Sequence, residues 1–326
     1  MARPTVVVTR RLPPSVEATI AERFDAHFNR TDTPLSANAL ADALKLADGV
    51  LCTVTDRFTA QHFAVAGRRA RVLANFGVGV NHIDLAAARA AGVIVTNTPG
   101  VLTDDTADVA LALILMVMRR LGEGERLLRT GAWSGWRPMF MLGHSPRDKV
   151  LGVVGYGRIG RALARRAHAA LGMRVQWWAP RDPRVDGPDD EGPASAVRVD
   201  SLEELLRTSD VVSLHCPSTA ETRHLMNAER LRLMPSHAYL VNTARGDIVD
   251  EHALVHALRE GVIAGAGLDV YEFEPTVLPD LRDMEQVVLL PHMGTSTVEV
   301  RVAMGECALR NLTAALAGEA PPDRVA

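Results

Sequence analysis

Short apolar, β-branched runs alternate along the chain with longer stretches whose apolar positions recur at helical spacing. Runs 5–9, 49–54, 72–76 and 93–96 read as strands, with helices at 14–26 and 83–91, the second closed by Gly92. A second series begins near Lys149 and predicts strands at 150–154, 174–179, 211–215, 238–242, 265–270 and 287–290. Helices are predicted at 159–171, 202–207 and 251–259, the last behind a capping Asp250. The run Val150-Leu-Gly-Val-Val154 is apolar at almost every position, which suits a strand buried on both faces. Strands separated by helices at this spacing predict βαβ units and parallel sheets.

Between the two series, 103–120 reads as one long helix capped by Thr103 or Asp104. A preference for acids at a helix N-terminus accounts for Asp104, Asp105 and Asp108. Segment 130–147 holds Trp133, Trp136, Met139, Phe140 and Met141 and is too apolar for a free linker. It reads as an arm packed on a second subunit, the alternative being a loop folded on its own domain. Segment 182–196, loaded with Asp, Gly and Pro, reads as a solvated surface loop.

Composition narrows the class. A length of 326 residues suggests about two domains. The 36 Lys+Arg against 39 Asp+Glu give a net charge of −3 with no basic run, which argues against a nucleic-acid partner. No signal-peptide h-region opens the chain, and the longest apolar run, 109–118, is too short to span a bilayer. Cys52, Cys216 and Cys307 lie far apart, so neither a disulfide framework nor a metal site is indicated. The expectation is a soluble cytoplasmic protein with no membrane partner.

Gly155-Tyr-Gly157-Arg-Ile-Gly160 matches G-x-G-x-x-G between an apolar strand and a helix, the context the pattern requires. Gly155 permits the tight turn, Gly157 lets the backbone approach a pyrophosphate, and Gly160 lets the helix lie close to the strand. The pyrophosphate then meets the N–H groups and positive dipole end of the helix. Dinucleotide sites for NAD carry an acid about 20 residues on, against the ribose 2′-hydroxyl. Here no acid occurs between Gly155 and Asp182; Ala179 and Arg181 stand at the strand end. A guanidinium can pair with a 2′-phosphate, so NADP is expected over NAD. A strand that ends later would let Asp182 reach the ribose, which keeps NAD as the alternative.

Three further segments place a reactive group after a strand: Asn242-Thr-Ala-Arg245-Gly246, Gly267-Leu-Asp269-Val-Tyr-Glu-Phe-Glu274-Pro275 and Leu290-Pro-His292-Met-Gly294-Thr295. With the glycine loop, they resemble the D-isomer-specific 2-hydroxyacid dehydrogenase family in the correct order over nearly the whole chain. Asn75-Phe-Gly-Val78-Gly79-Val-Asn-His-Ile-Asp84 and Val95-Thr-Asn-Thr-Pro-Gly-Val-Leu-Thr-Asp-Asp-Thr106-Ala-Asp108 are similar to its glyoxylate/hydroxypyruvate reductase branch.

The resemblance implies two Rossmann- or flavodoxin-like α/β domains. The cofactor domain (residues 99–290) would be inserted in a discontinuous substrate domain (1–98 plus 291–326), with the active site in the cleft between them. Arg245 would clamp the substrate carboxylate. His292 would be general acid in reduction and general base in oxidation. Glu274 would hydrogen-bond His292, orient the ring and keep it protonated. Glu272 is its rival for that role, but the family pattern sets the acid immediately before Pro275. The N–H groups of Val78 and Gly79 would also bind the carboxylate, with Val54 as a further small substrate neighbour. Asp269 would contact the nicotinamide carboxamide and Thr106 the cofactor. Arg158, Ile159, Pro217, Thr243 and Gly294 are further candidate cofactor contacts. Cys216 would line the adenine side of the pocket, with nothing to suggest an activated thiolate.

The expected substrate is a small 2-keto or 2-hydroxy acid such as glyoxylate, hydroxypyruvate or pyruvate. Only 34 residues follow His292 (326 − 292), too few for the extra regulatory domain of some phosphoglycerate dehydrogenases. Glu274 disfavours formate, where relatives place Gln, and the 76–79 segment lacks the lysine of phosphite-oxidising relatives. An NAD-dependent enzyme for a larger keto acid and a non-enzymatic, corepressor-like dinucleotide sensor are the alternatives. The helix and arm at 103–147 point to a homodimer.

Overall fold

The apolar runs form two all-parallel sheets. A computed structural model of the chain describes residues 3–181 and 192–326. Along the chain the elements run β1 (Thr5–Val8), α1 (Pro14–Arg23), β2 (Asp25–Phe28), α2 (Ala37–Leu46), β3 (Gly49–Thr53), α3 (Ala60–Phe63), β4 (Val72–Phe76), α4 (Leu85–Ala90) and β5 (Ile94–Thr96). There follow α5 (Thr103–Met118), α6 (Leu121–Arg129), β6 (Val150–Val154), α7 (Arg158–Leu171), β7 (Arg174–Trp178), β8 (Val197–Arg198), α8 (Leu202–Thr208) and β9 (Val211–Leu214). The last are α9 (Ala228–Leu231), β10 (Tyr239–Asn242), a 3₁₀ turn at Gly246–Ile248, α10 (Glu251–Arg259), β11 (Gly265–Leu268), α11 (Pro279–Arg282), β12 (Val287–Leu289) and α12 (Val298–Ala317).

Two compact units result, one of residues up to Leu102 plus Ser296–Ala326, the other Thr103–Thr295. The cuts fall after 102 and 295 rather than after 98 and 290. His292 therefore belongs to the unit with the glycine loop. The reason is local: the amides of Met293 and Gly294 bond the Asp269 carboxylate, 2.7 and 2.8 Å away, just beyond β11.

The first unit holds a five-stranded sheet, β2-β1-β3-β4-β5. Helix α1 stops at Arg23, short of the predicted 26, because residues 25–28 leave it to pair with β1 as an edge strand. That strand, Asp-Ala-His-Phe, is half-exposed and alternates polar and apolar over only four residues, with Phe28 its one strand-favouring residue, so its strand signal is weak. Helix α2 is capped by Ser36 and α12 by Thr297, each side chain accepting the N–H three residues on.

The second unit holds a seven-stranded sheet, β12-β11-β10-β9-β6-β7-β8. Its order reverses between β6 and β9, which opens a crevice at the carboxyl ends of those two strands. Helix α5 packs on β11 because that strand is Gly265-Ala-Gly267-Leu. A side chain at Gly267 would meet Leu113 of α5 at 3.0 Å. Asp104 and Asp108 both pair with Arg166 on α7, a use of these acids beyond the helix-end preference. The 182–191 part of the predicted loop, Asp182 included, lies outside the described residues. No helix among the described residues is long and apolar enough to cross a membrane.

Candidate active site

The crevice is built by glycines where side chains would not fit. Gly155 turns out of β6 at φ +91°, and a Cβ there would lie 2.6 Å from the Cys216 nitrogen at the end of β9. At Gly160 a Cβ would collide with the Gly155 carbonyl, so this glycine lets α7 lie against the turn. Gly157 is the N-cap of α7, and the space where its Cβ would point is open. Arg158 and Ile159 begin the helix, whose first N–H groups have no partners within it.

Burial pushes the Cys216 thiol up to about 11, so it is a small wall residue beside Pro217 and not a nucleophile. The Thr243 hydroxyl, just beyond β10, is buried without a hydrogen-bond partner. A turn closed to a Cβ at Gly155 and Gly160, open space at Gly157 and an unsatisfied buried hydroxyl on one sheet edge fit a bound dinucleotide. Arg181 is exposed after β7. The Glu221 carboxyl beyond β9 is held low, first by the Thr219 hydroxyl and last by the charge of Arg181, so Arg181 lies within electrostatic reach of that turn.

Further along the same edge, Asn242 shapes the turn that carries Arg245. Its amide donates to the Arg245 carbonyl at 2.8 Å and its oxygen accepts the Ala244 N–H at 3.0 Å. Burial lowers the Arg245 guanidinium from its usual value, opposed by the charges of Glu274 and Asp247; it remains a cation.

Glu274 links two segments. Its Oε1 accepts the Tyr271 N–H at 3.0 Å, and its Oε2 accepts from His292 Nδ1 at 2.8 Å. Burial pushes the Glu274 carboxyl up. The His292 hydrogen bond and charge, the Tyr271 amide and Arg245 outweigh it, and the net shift is downward. Its contribution to stability is therefore present above the ordinary carboxylate range and is lost as pH falls through the lower folded value. Glu272, the rival acid, pairs instead with Arg223 at 3.0 Å and His224 at 2.7 Å.

His292 sits at φ +52°, a left-handed conformation uncommon for a side chain with a Cβ. Its N–H donates to the Asp269 carbonyl at 2.8 Å, and the next two amides bind the Asp269 carboxylate. The Thr106 hydroxyl donates to the Gly294 carbonyl at 3.2 Å. Asp269 and Thr106 thus brace the 292–294 segment, a role the sequence did not suggest. Tyr271 was also missed: its hydroxyl donates to the Leu290 carbonyl at 2.8 Å. With Nδ1 facing Glu274, Nε2 is the ring nitrogen left for a substrate.

In the first unit, Val54 is exposed at the end of β3. The carbonyls of residues 77–79 are each held by a side-chain amide. Asn75 donates to those of Gly77 and Gly79 at 2.9 and 3.1 Å, and Asn97 to that of Val78 at 3.0 Å. In a trans peptide the N–H points opposite the preceding carbonyl, so the Val78 and Gly79 N–H groups are turned away from these anchors.

Residues 111–294 match the NAD binding domain of the D-isomer specific 2-hydroxyacid dehydrogenases. The chain is also 40% identical to a glyoxylate reductase of Thermococcus litoralis, across 99% of this chain and 97% of that one. This chain belongs to the D-isomer specific 2-hydroxyacid dehydrogenase family. Among solved structures of such dehydrogenases it resembles a glyoxylate reductase from Paecilomyes thermophila, with a TM-score of 0.86 and 31% identity over 100% of this chain and 99% of that one. It also resembles an NADPH-dependent glyoxylate/hydroxypyruvate reductase from Sinorhizobium meliloti in complex with NADP and malonate, with a TM-score of 0.84 and 33% identity over 100% and 97%.

The glycine cradle of this dehydrogenase generates a prediction. Gly155→Ala adds a Cβ at a left-handed position against Cys216 and should raise the Kd for NADH and NADPH alike about tenfold or more, read by nucleotide fluorescence. Unchanged affinity would remove the loop from the cofactor site.

Proposed function

We propose that the chain reduces small 2-keto acids, glyoxylate and hydroxypyruvate among them, to D-2-hydroxy acids by hydride transfer from NADPH. The observation that carries this reading is the 2.8 Å Glu274–His292 bond, within electrostatic reach of Arg245 on the edge that bears the glycine loop. A planar guanidinium suits the substrate carboxylate, and the amides of Val78 and Gly79 are further donors to it. A bound nicotinamide supplies the hydride to the carbonyl carbon. His292 Nε2 gives its proton to the carbonyl oxygen, completing the alcohol, and the Glu274 carboxylate offsets the imidazolium charge beforehand.

Three facts favour NADPH. No carboxylate lies between Gly155 and Arg181, Arg181 follows the second strand, and the Sinorhizobium relative is NADPH-dependent. Asp269, Thr106, Gly294 and Thr243 are proposed to face the nicotinamide end, and Arg158, Ile159, Cys216 and Pro217 the rest of the dinucleotide. The three cysteines are buried and unpaired, which suits a cytoplasmic setting. A second copy of the chain is the proposed partner of the arm, where Trp133, Trp136, Met139 and Leu142 stand exposed.

Purified protein assayed with NADPH and NADH against a 2-keto-acid panel tests the reading. It predicts the highest kcat/KM for glyoxylate and hydroxypyruvate with NADPH. Arg245→Ala should cost about 3 kcal/mol, on the order of a hundredfold in kcat/KM. Strong activity only on a bulky keto acid, or preference for NADH, would refute the corresponding part. Light scattering at micromolar concentration should give twice 35.2 kDa, and a monomer would contradict the dimer.

A further inference from the structure

Tyr271 and the peptides on either side of it join the parts of this site. The Tyr271 N–H is held by Glu274 Oε1, and the Tyr271 hydroxyl by the carbonyl of Leu290, two residues before His292. The next peptide, Tyr271–Glu272, packs so closely on Gly246, next to Arg245, that a Cβ there would overlap it. The N–H of that peptide, on Glu272, is held at 2.8 Å by Oε1 of Glu251, the first residue of α10. An acid at a helix start ordinarily faces solvent. Glu251 is turned inward instead, only 2% exposed, with Oε2 buried and unpartnered.

Resting on the reading above, we propose that Glu251 is a positioning residue for keto-acid reduction: by holding the Tyr271–Glu272 peptide it sets Glu274 against His292. Burial pushes the Glu251 carboxyl up, so its length and acceptor oxygen matter more than its charge. The titratable and charged groups facing this cluster include Arg223 and His224 on Glu272, His252 beside Glu251, Arg245 beside Glu274 with Asp247 acting on it, and Asp269 behind His292.

Two conservative variants separate reach from charge. Glu251→Gln keeps the length and the acceptor; Glu251→Asp keeps the charge but falls short of the Glu272 N–H. With glyoxylate and NADPH, Glu251→Asp should lose about tenfold or more in kcat with KM changed by less than about twofold, and Glu251→Gln should stay within about threefold. The basic limb of the pH–rate profile should move to lower pH in the Asp variant alone. Wild-type behaviour of Glu251→Asp, or an equal loss in Glu251→Gln, overturns the inference. An inactive wild-type protein would defeat the function instead. The imidazole proton resonance of His292, assigned through His292→Asn, then still decides. Its titration midpoint should fall in Glu251→Asp and hold in Glu251→Gln, and a midpoint unchanged in both overturns the inference.

Discussion

The site depends on one buried carboxylate. Asp269 binds the amides of Met293 and Gly294 with its two oxygens and the His292 amide with its carbonyl. A left-handed residue costs about 1–2 kcal/mol. Each amide bonded to a charged oxygen returns about 1.5–3 kcal/mol, so two such bonds outweigh the strain at His292. Burial pushes the Asp269 carboxyl up on balance, and the two amides, with the charge of His292, pull the other way. Without this brace nothing in the backbone preference of residues 290–294 would present the imidazole to Glu274.

The same sheet edge explains why the glycine loop and the Glu274–His292 pair meet. Parallel strands end together, and the order of the seven-stranded sheet reverses at β6 and β9. The segments after β6, β9, β10, β11 and β12 therefore open on one side. Small residues maintain the fit: glycines at 155 and 160 seat α7, and in β11 Gly267 admits Leu113 and Gly265 admits Val117 of α5. Each of these is a packing demand first, and the anion-binding geometry follows from it.

Much of this is legible in the chain. Val150–Val154 and the glycines after it specify a buried strand, a tight turn and a helix, because apolar continuity and glycine spacing are local signals. Arg245, Glu274 and His292 could be picked out as residues that follow strands. The half-exposed edge strand at Asp25–Phe28 was not legible, since pairing with β1, not its own composition, makes it a strand. Neither was the bracing by Asp269 and Thr106, which arises from contacts 24 to 188 residues apart in sequence. The choice between Glu272 and Glu274 rested on a motif alone; in the structure it rests on Arg223 and His224 capturing Glu272.

The central claim is that Glu274 aims His292 and offsets the charge the ring carries when it is protonated. Its most direct test is the pH dependence of kcat/KM for glyoxylate reduction in Glu274→Gln beside wild type. The amide keeps the volume and removes the charge, so the basic limb should move to lower pH while NADPH affinity holds. A limb at the wild-type pH would contradict the account.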